Sequence, residues 1–539
     1  MYLVIVDTTQ IQPYIFGSNR LRENIGASHL VAQATEQWAF EALPHPHNVN
    51  VGPKGKLDEA QQIEVTLPQL AAEVIYAGGG NVIVLFRDEP QAKAFTQKLS
   101  RKVLTDAPGL QLVIARQPFE WSEPLYEKVK LTFQTLAEKK RARAHSVPLL
   151  GLGVTAMCES TGLPAIGVTQ KIGDDEGYPA SAEIHAKLAV ATSKGTQPSE
   201  AGKRLLDLIP PLEGYDYPND FKYLGGTRGE HSYIAVVHAD GNGMGQRIMD
   251  IGKKHATADN RKYITDLRRF SDAVEAAARK AMNDTLSKLV SRINDGEVAH
   301  SDLNWLKVRL ATNKDNNIKL LPFRPIVFGG DDVTFVCDGR LGLSLVVEYL
   351  RQFENETAKR ADCKGKITAC AGIAIVKTHY PFARAYTLAE ELCKSAKIYR
   401  RKQNLDGSCL DWHFASSGLS GSIEKIRERE YKVSAGDLTL RPMTLAKNPE
   451  QAHRSWEVVL AGADEFQRGW SGRRNKVKAL RDALREGGTA VESFLMNFNE
   501  SRPLPDVCTS MADWKEQGWQ GKYCGYFDAV EMIDWFIPL

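Results

Sequence analysis

Residues 325–337 read PIVFGGDDVTFVC, two apolar runs joined by a Gly-Gly-Asp-Asp turn. The glycines let the chain reverse with little bulk, and the β-branched and aromatic flanks favour strands, so the stretch predicts a β-hairpin with two carboxylates at its tip. A second copy stands at residues 74–86, VIYAGGGNVIVLF, where Gly78 and Gly79 match Gly329 and Gly330 while Gly80 and Asn81 stand for Asp331 and Asp332. Each hairpin follows an apolar strand, MYLVIVDTTQ from Met1 and YIAVVHADGNGMG from Tyr233. Laying these strands over each other sets Thr9 against Asp240, so all three acidic positions of the second copy are expected to be neutral in the first. Neither strands nor turn need those charges to form, so their selective loss points to chemistry.

Outward from each hairpin the same order of elements recurs. Residues 1–148 alternate strand-like runs with helical patterns such as LRENIGASHLVAQATEQWAF, QAKAFTQKLSRKVL and a charged helix ending in AEKKRARA. Residues 231–418 repeat the order and close with FARAYTLAEELCKSAKIYRRK. The order of strand, helix, hairpin, helix, strand is that of a ferredoxin-like palm. The expected fold is therefore α+β: a degenerate palm at 1–148, a turn-rich connector at 149–230 and a carboxylate-bearing palm at 231–418. A mainly helical domain follows at 419–539.

With 539 residues the chain is too long for one core, and 43% hydrophobic with 25% charged residues is the composition of an ordinary soluble protein. The net charge of +3 gives no global nucleic-acid signal, so any basic surface has to be local. Asp7 interrupts the first apolar run, which speaks against a signal peptide, and no stretch approaches the ~20 apolar residues of a membrane helix. Eight cysteines without a C-x-x-C pair predict neither a disulfide framework nor a four-thiolate zinc site. A reduced, cytoplasmic protein without membrane partners is expected.

Asp240 at the end of its strand is expected to supply the carboxylate facing the hairpin pair Asp331 and Asp332. Three converging carboxylates repel one another without cations, and hard oxygen donors suit two Mg²⁺ or Mn²⁺ ions. Gly241, Asn242 and Gly243 are expected to offer backbone N–H groups to a triphosphate at a helix start, and Lys397 a cation to the phosphates. A Gly-Gly-Asp-Asp turn alone is an ordinary hairpin, and an Asp at a strand end commonly caps a helix. Their coincidence in one copy of a duplicated unit favours a catalytic role. His238 reads as a strand residue.

The segments IQPYIFGSNRLRENIGAS, YAGGGNVIVLF, HADGNGMG, FGGDDVTF and DWHFA (Asp411 to Ala415) resemble the large polymerase/cyclase subunit of type III CRISPR effector complexes, a relative of GGDEF nucleotide cyclases. The similarity covers about residues 1–415. It implies a metal-dependent nucleotidyltransferase that turns ATP into a cyclic oligoadenylate messenger for antiviral defence, with Asp240, Asp331 and Asp332 as metal ligands and Gly329 and Gly330 shaping the turn. It also implies that the 3′-hydroxyl of one ATP attacks the α-phosphate of another. Many members carry an HD nuclease domain, but no His-Asp dipeptide occurs here, so no DNase activity is expected. Many also carry a cysteine zinc module between the palms, where this chain has Cys158 alone, so no structural zinc is expected. Guide or target RNA and other effector subunits are expected partners beside ATP.

Two other readings stand beside this one. The basic run Arg468, Trp470, Arg473, Arg474 and Lys476 suits phosphate contact and base stacking, as in a scaffold subunit of a ribonucleoprotein. A stand-alone cyclase using GTP, or one making another nucleotide conjugate, needs the same carboxylates. Two palms also suggest an internal pseudo-dimer that places Gly80 and Asn81 near a second nucleotide.

Overall fold

The computed structural model describes residues 1–50, 57–65, 69–143, 153–171, 176–193, 197–225, 232–255, 259–313, 316–415, 421–446, 448–470, 472–497 and 503–539. The expected domain boundaries at 148/149, 230/231 and 418/419 lie outside these residues. The chain forms two compact units: Met1–Pro210 with Gly243–Ala276 and Arg360–Lys364, and Pro211–Asn242 with Ala277–Lys359 and Gly365–Leu539.

The first unit is built on strands β1 (Tyr2–Thr9), β2 (Ala72–Gly78), β3 (Asn81–Phe86) and β4 (Gln111–Pro118), with helices α1 (Leu21–Thr35), α2 (Glu89–Asp106) and α3 (Leu125–Ala142). The strands pair antiparallel in the order β2-β3-β1-β4, which is the ferredoxin-like order. Leu3, Val4, Ile5 and Val6 of β1 are buried without a gap, as expected of a central strand covered on both faces. The SNRLREN part of the first motif has a structural duty: buried Glu23 of α1 accepts hydrogen bonds from Ser18, Ser160 and Tyr178 and so ties residues of the connector to the helix. The connector contributes the helices Ala182–Ala191 and Glu200–Leu208.

The second unit repeats the arrangement with β5 (Tyr233–Gly241), β6 (Phe323–Gly329), β7 (Asp332–Asp338) and β8 (Ala369–Lys377), extended by β9 (Cys409–Ala415) and β10 (Met443–Thr444). The order is β6-β7-β5-β8-β9-β10, and β9 runs parallel to β8. Helices α4 (Gly342–Ala358) and α5 (Phe382–Lys402) pack on the sheet. α5 buries Phe382, Ala385, Tyr386, Ala389, Leu392, Cys393 and Ala396, an apolar stripe at spacings of three and four that sets its opposite flank beside the end of β5. Arg427 clamps Asp411 of the DWHFA segment bidentately, and Arg441, fully buried, reaches the Trp412 carbonyl, Asp528 and Glu531. The C-terminal region is mainly helical and also holds a four-stranded sheet of two-residue strands, too short to announce themselves by alternation.

The strand registers correct the sequence alignment of the two copies. Asp7 lies opposite Asn81, and Asp240 lies opposite Asp332. Gly78 pairs with Asn81 as Gly329 pairs with Asp332, and both hairpins carry a bulge at the same place, between Val74 and Tyr76 and between Pro325 and Val327. The residue equivalent to Asp240 is therefore Asp7 and not Thr9. Only the two hairpin positions are neutral in the first palm.

Candidate active site

Asp240 stands at the end of the apolar run of β5, one residue before its last, and β7 begins with Asp332 directly across the ladder. The turn between β6 and β7 needs Gly330, whose φ of +73° lies in the left-handed region. The Asp331 carbonyl accepts the Gly241 N–H at 3.2 Å, which fastens the hairpin tip to the end of β5. Lys397 of α5 places Nζ 2.5 Å from Asp240 Oδ2 and 3.2 Å from the Gly241 carbonyl. Thus Asp240, Asp331, Asp332, Gly241 and Lys397 come together at one end of one sheet.

The electrostatics follow from that crowding. Burial, and then the charges of Asp240 and Asp332, push Asp331 up to about 7. Asp332 is likewise pushed up to about 7, by burial first and then by Asp240. The Asp332 side chain is 51% exposed, yet its Oδ1 is sealed from solvent, receives no hydrogen bond and lies 3.5 Å from His238 Nδ1. Tyr349 of α4 sits fully buried with its hydroxyl unpartnered, and burial with the charges of Asp331 and Asp332 raises its pKa. Among the described residues no three His, Cys, Asp or Glu side chains converge on one point. The carboxylates thus neighbour one another without forming a closed cage.

The loop after Asp240 departs from the expected phosphate cradle. The Gly241 N–H is taken by Asp331, and the Asn242 N–H by the Thr368 carbonyl at 2.8 Å. The Asn242 side chain donates to Thr368 Oγ1 at 3.0 Å, so this residue braces the loop. Gly243 adopts φ +73° and caps the helix Met244–Lys254.

With this geometry in view, residues 233–406 match the family model for Cas10/Cmr2, second palm domain. That segment is similar to a Cas10/Cmr2 second palm. The chain is also similar to a solved Csm1-Csm4 cassette in complex with pppApApA, at 11% identity and a TM-score of 0.52, over 99% of this chain and 69% of that one. The apo Csm1-Csm4 cassette gives 11% identity and a TM-score of 0.51 over 99% and 70%. At such identity the likeness is one of fold. No curated protein matches the chain in sequence.

Around the carboxylates of the second palm the structure adds residues that sequence reasoning passed over. His238 is buried, its Nδ1 lies 3.2 Å from Thr334 Oγ1, its ring meets Tyr386 edge-on, and burial keeps its pKa below the ordinary histidine range. Glu390 of α5 acts electrostatically on both His238 and Asp332. The signal was present in the spacing: His238 shares a strand face with Asp240, and Glu390 lies two helical turns before Lys397.

Gly80 and Asn81 lie in the first unit, at the tip of its own hairpin. Asn81 Oδ1 is buried without a partner there, as Asp332 Oδ1 is in the second palm. The basic run is largely occupied by its own fold. Arg468 pairs with Asp464 at 2.7 Å and Asp302 at 3.1 Å, while Arg474 pairs with Asp534 at 2.7 Å and stacks 4.4 Å from Trp305. Trp470 packs edge-on against Phe466, Arg473 stands at the start of the helix Arg474–Glu486, and Lys476 is half-buried within it. Among the described residues no helix is long and apolar enough to cross a membrane.

Proposed function

We propose that this chain is a metal-dependent nucleotidyltransferase that joins ATP units through 3′,5′ linkages into an oligoadenylate messenger, cyclic in its final form, in a type III CRISPR-like antiviral system. One observation carries the reading: Asp332 faces Asp240 across the ladder and Asp331 adjoins both, at one end of a sheet that matches the Cas10/Cmr2 second palm, with Lys397 as the cation beside them. The second palm alone has hairpin carboxylates.

The donor set fits Mg²⁺ or Mn²⁺. Three hard oxygen donors adjoin one another, and two of them, Asp331 and Asp332, are pushed up to about 7 by burial first and then by the charge of Asp240. Asp240, Asp331 and Asp332 would hold the ions, two in number by the family resemblance. Bound there, such ions acidify a hydroxyl and stabilise a departing pyrophosphate.

The chain's own residues prepare that site. Gly330 turns the hairpin so that both carboxylates stand at its tip, the Gly241 N–H ties the tip to β5, and Lys397 offsets part of the negative charge. In the reaction the 3′-oxygen of one ATP bonds to the α-phosphorus of another. The bond from that phosphorus to its bridging oxygen breaks, pyrophosphate leaves and the hydroxyl proton passes to solvent. The ligand of the similar Csm1-Csm4 cassette, pppApApA, is a triphosphate-headed adenylate chain of the type this chemistry yields. By the same likeness other effector subunits are proposed partners, and guide or target RNA is proposed on the resemblance of the sequence motifs alone.

The test is incubation of the protein with labelled ATP or GTP and Mn²⁺, with and without RNA and partner subunits, beside an Asp331→Ala/Asp332→Ala variant, with products read by mass spectrometry. An adenylate product lost in the variant supports the reading. Guanylate products alone would replace ATP as substrate, and silence in every arm overturns the proposal.

A further inference from the structure

The two palms of this chain serve as controls for each other. Both keep an acid–lysine pair, Asp7 with Lys140 and Asp240 with Lys397. One step further along the strands they part. His238 faces Thr334 across β5 and β7, whereas Ile5 faces Ile83 across β1 and β3. Glu390 lies seven residues before Lys397, and at the same distance before Lys140 stands Phe133. Three polar residues surround the carboxylates of the second palm, and three apolar residues take their places in the first.

The fold does not require the polar set, because the first sheet makes the same cross-strand pairing with two buried isoleucines. Burying a polar pair costs free energy unless it is bonded, so its restriction to the carboxylate-bearing palm asks for a use. Alternate residues of a strand share a face, which puts His238 with Asp240 and Thr334 with Asp332. His238 Nδ1 lies 3.2 Å from Thr334 Oγ1 and 3.5 Å from Asp332 Oδ1, and its ring stands edge-on to Tyr386 with centroids 5.7 Å apart. The sealed oxygen of Asp332 is the one that faces the imidazole.

The geometry points to His238 as a positioning residue: its Nδ1, beside Thr334 Oγ1 and 3.5 Å from Asp332 Oδ1, is placed to donate to that oxygen once the carboxylate ionises to take up a divalent cation through its other oxygen. A neutral imidazole has a single N–H, so the role requires the tautomer protonated at Nδ1. The inference rests on the metal-dependent reading above. Groups that orient a ligating side chain typically account for about 10- to 100-fold in metal affinity.

The experiment is titration of the full chain with Mn²⁺ alone, followed by calorimetry or by loss of the free-ion magnetic resonance signal, with thermal melts to confirm folding. Four variants accompany the wild type: His238→Asn, whose amide nitrogen occupies the place of Nδ1; His238→Gln, whose amide reaches the place of Nε2 instead; His238→Ile/Thr334→Ile, which copies the first palm; and Asp332→Ala. Expected are wild-type affinity in His238→Asn and a loss of about 10- to 100-fold in His238→Gln and in the isoleucine pair. Equal affinity in all His238 variants, with loss confined to Asp332→Ala, overturns this inference and leaves the metal reading standing. A wild-type chain that binds no Mn²⁺ overturns both. The Asn–Gln contrast decides the matter even if the isoleucine pair does not fold, since a merely structural histidine has no reason to be rescued by one amide and not the other.

Discussion

Asp7 in the first palm and Asp240 in the second hold the same register position, and each is salt-bridged to a lysine at the same point of the helix that closes its palm, Lys140 in α3 and Lys397 in α5. An acid–lysine pair present in both copies belongs to the palm as such. It does not by itself mark an active site. What sets the second palm apart is the hairpin tip, where Asp331 and Asp332 stand in place of Gly80 and Asn81.

Stability should report that tip directly. Asp331 and Asp332 are held at about 7 against an ordinary 3.8, so the folded chain binds these protons more tightly than the unfolded one. Their effect on stability is most favourable at acid pH and is lost as pH rises through the window from about 4 to about 7. In the presence of chelator, the melting temperature of the wild type is expected to fall between pH 5.5 and 8 by more than that of Asp331→Asn/Asp332→Asn. Mn²⁺ at pH 8 should raise it in the wild type alone. Parallel pH profiles would remove the electrostatic argument.

Lys397→Met tests the cation. The lysine charge lowers the pKa of both Asp331 and Asp332, so without it both rise further. Turnover is expected to drop by about tenfold or more, the scale of losing one charge-stabilising donor, and the acid limb of its pH profile to move to higher pH. A rate loss with an unmoved pH profile would reduce Lys397 to a packing role.

Much of this was legible in the sequence, for identifiable reasons. Apolar runs of strand length and helical stripes at spacings of three and four gave the order of both palms, and the hairpin glycines located the tip carboxylates. The equivalence of Asp7 to Asp240 was not legible, because both strands end in short polar runs that slide over each other by two residues without disturbing the alternation; only the ladder fixes the register. Nor could spacing show that the Gly241 and Asn242 N–H groups are consumed by Asp331 and Thr368, or that Arg474 meets Asp534 and Trp305. Those partners are far away along the chain. His238 looked like an ordinary strand residue because its significance lies in what faces it.

The first compact unit contains a buried ionic cluster that should dominate its acid stability. Glu73 of β2 is fully buried, with Arg261 Nη1 at 2.7 Å and Arg268 Nη2 at 2.8 Å. Arg268 also donates to the carbonyls of Val74 and Ile75 at the bulge. Burial would raise the Glu73 pKa, but the two guanidinium groups outweigh it and hold it below the ordinary 4.5. Stability from the cluster is therefore present above pH 4.5 and lost as pH falls through the depressed value. Glu73→Ala removes the carboxylate bonded to buried Arg268 and should cost about 3–5 kcal/mol in urea unfolding. Glu73→Leu/Arg268→Met should cost much less than either single change, and additive losses would show that the charges do not act as a unit.

The neutral hairpin of the first palm is locked as well as uncharged. Thr8 stands where the second palm has Gly241, and its N–H bonds the Gly80 carbonyl at 2.9 Å as the Gly241 N–H bonds that of Asp331. The Thr8 hydroxyl donates to the same Gly80 carbonyl at 2.9 Å, and a Cβ at Gly80 would lie 2.5 Å from Thr8 Oγ1 and 2.8 Å from Ile11 Cδ1. Gly80 also has φ +82°, a conformation that costs any other residue about 1 kcal/mol or more. In the second palm Asp331 stands beside Gly241, which lacks a side chain, and its φ is not positive. Gly80→Asp is therefore expected to destabilise the protein by about 1–3 kcal/mol, and adding Thr8→Gly should recover the steric part of that loss. Chemical denaturation of the two variants against the wild type decides it. If Gly80→Asp alone is as stable as the wild type, the hairpin is free to rearrange, and the loss of carboxylates from the first palm owes nothing to Thr8.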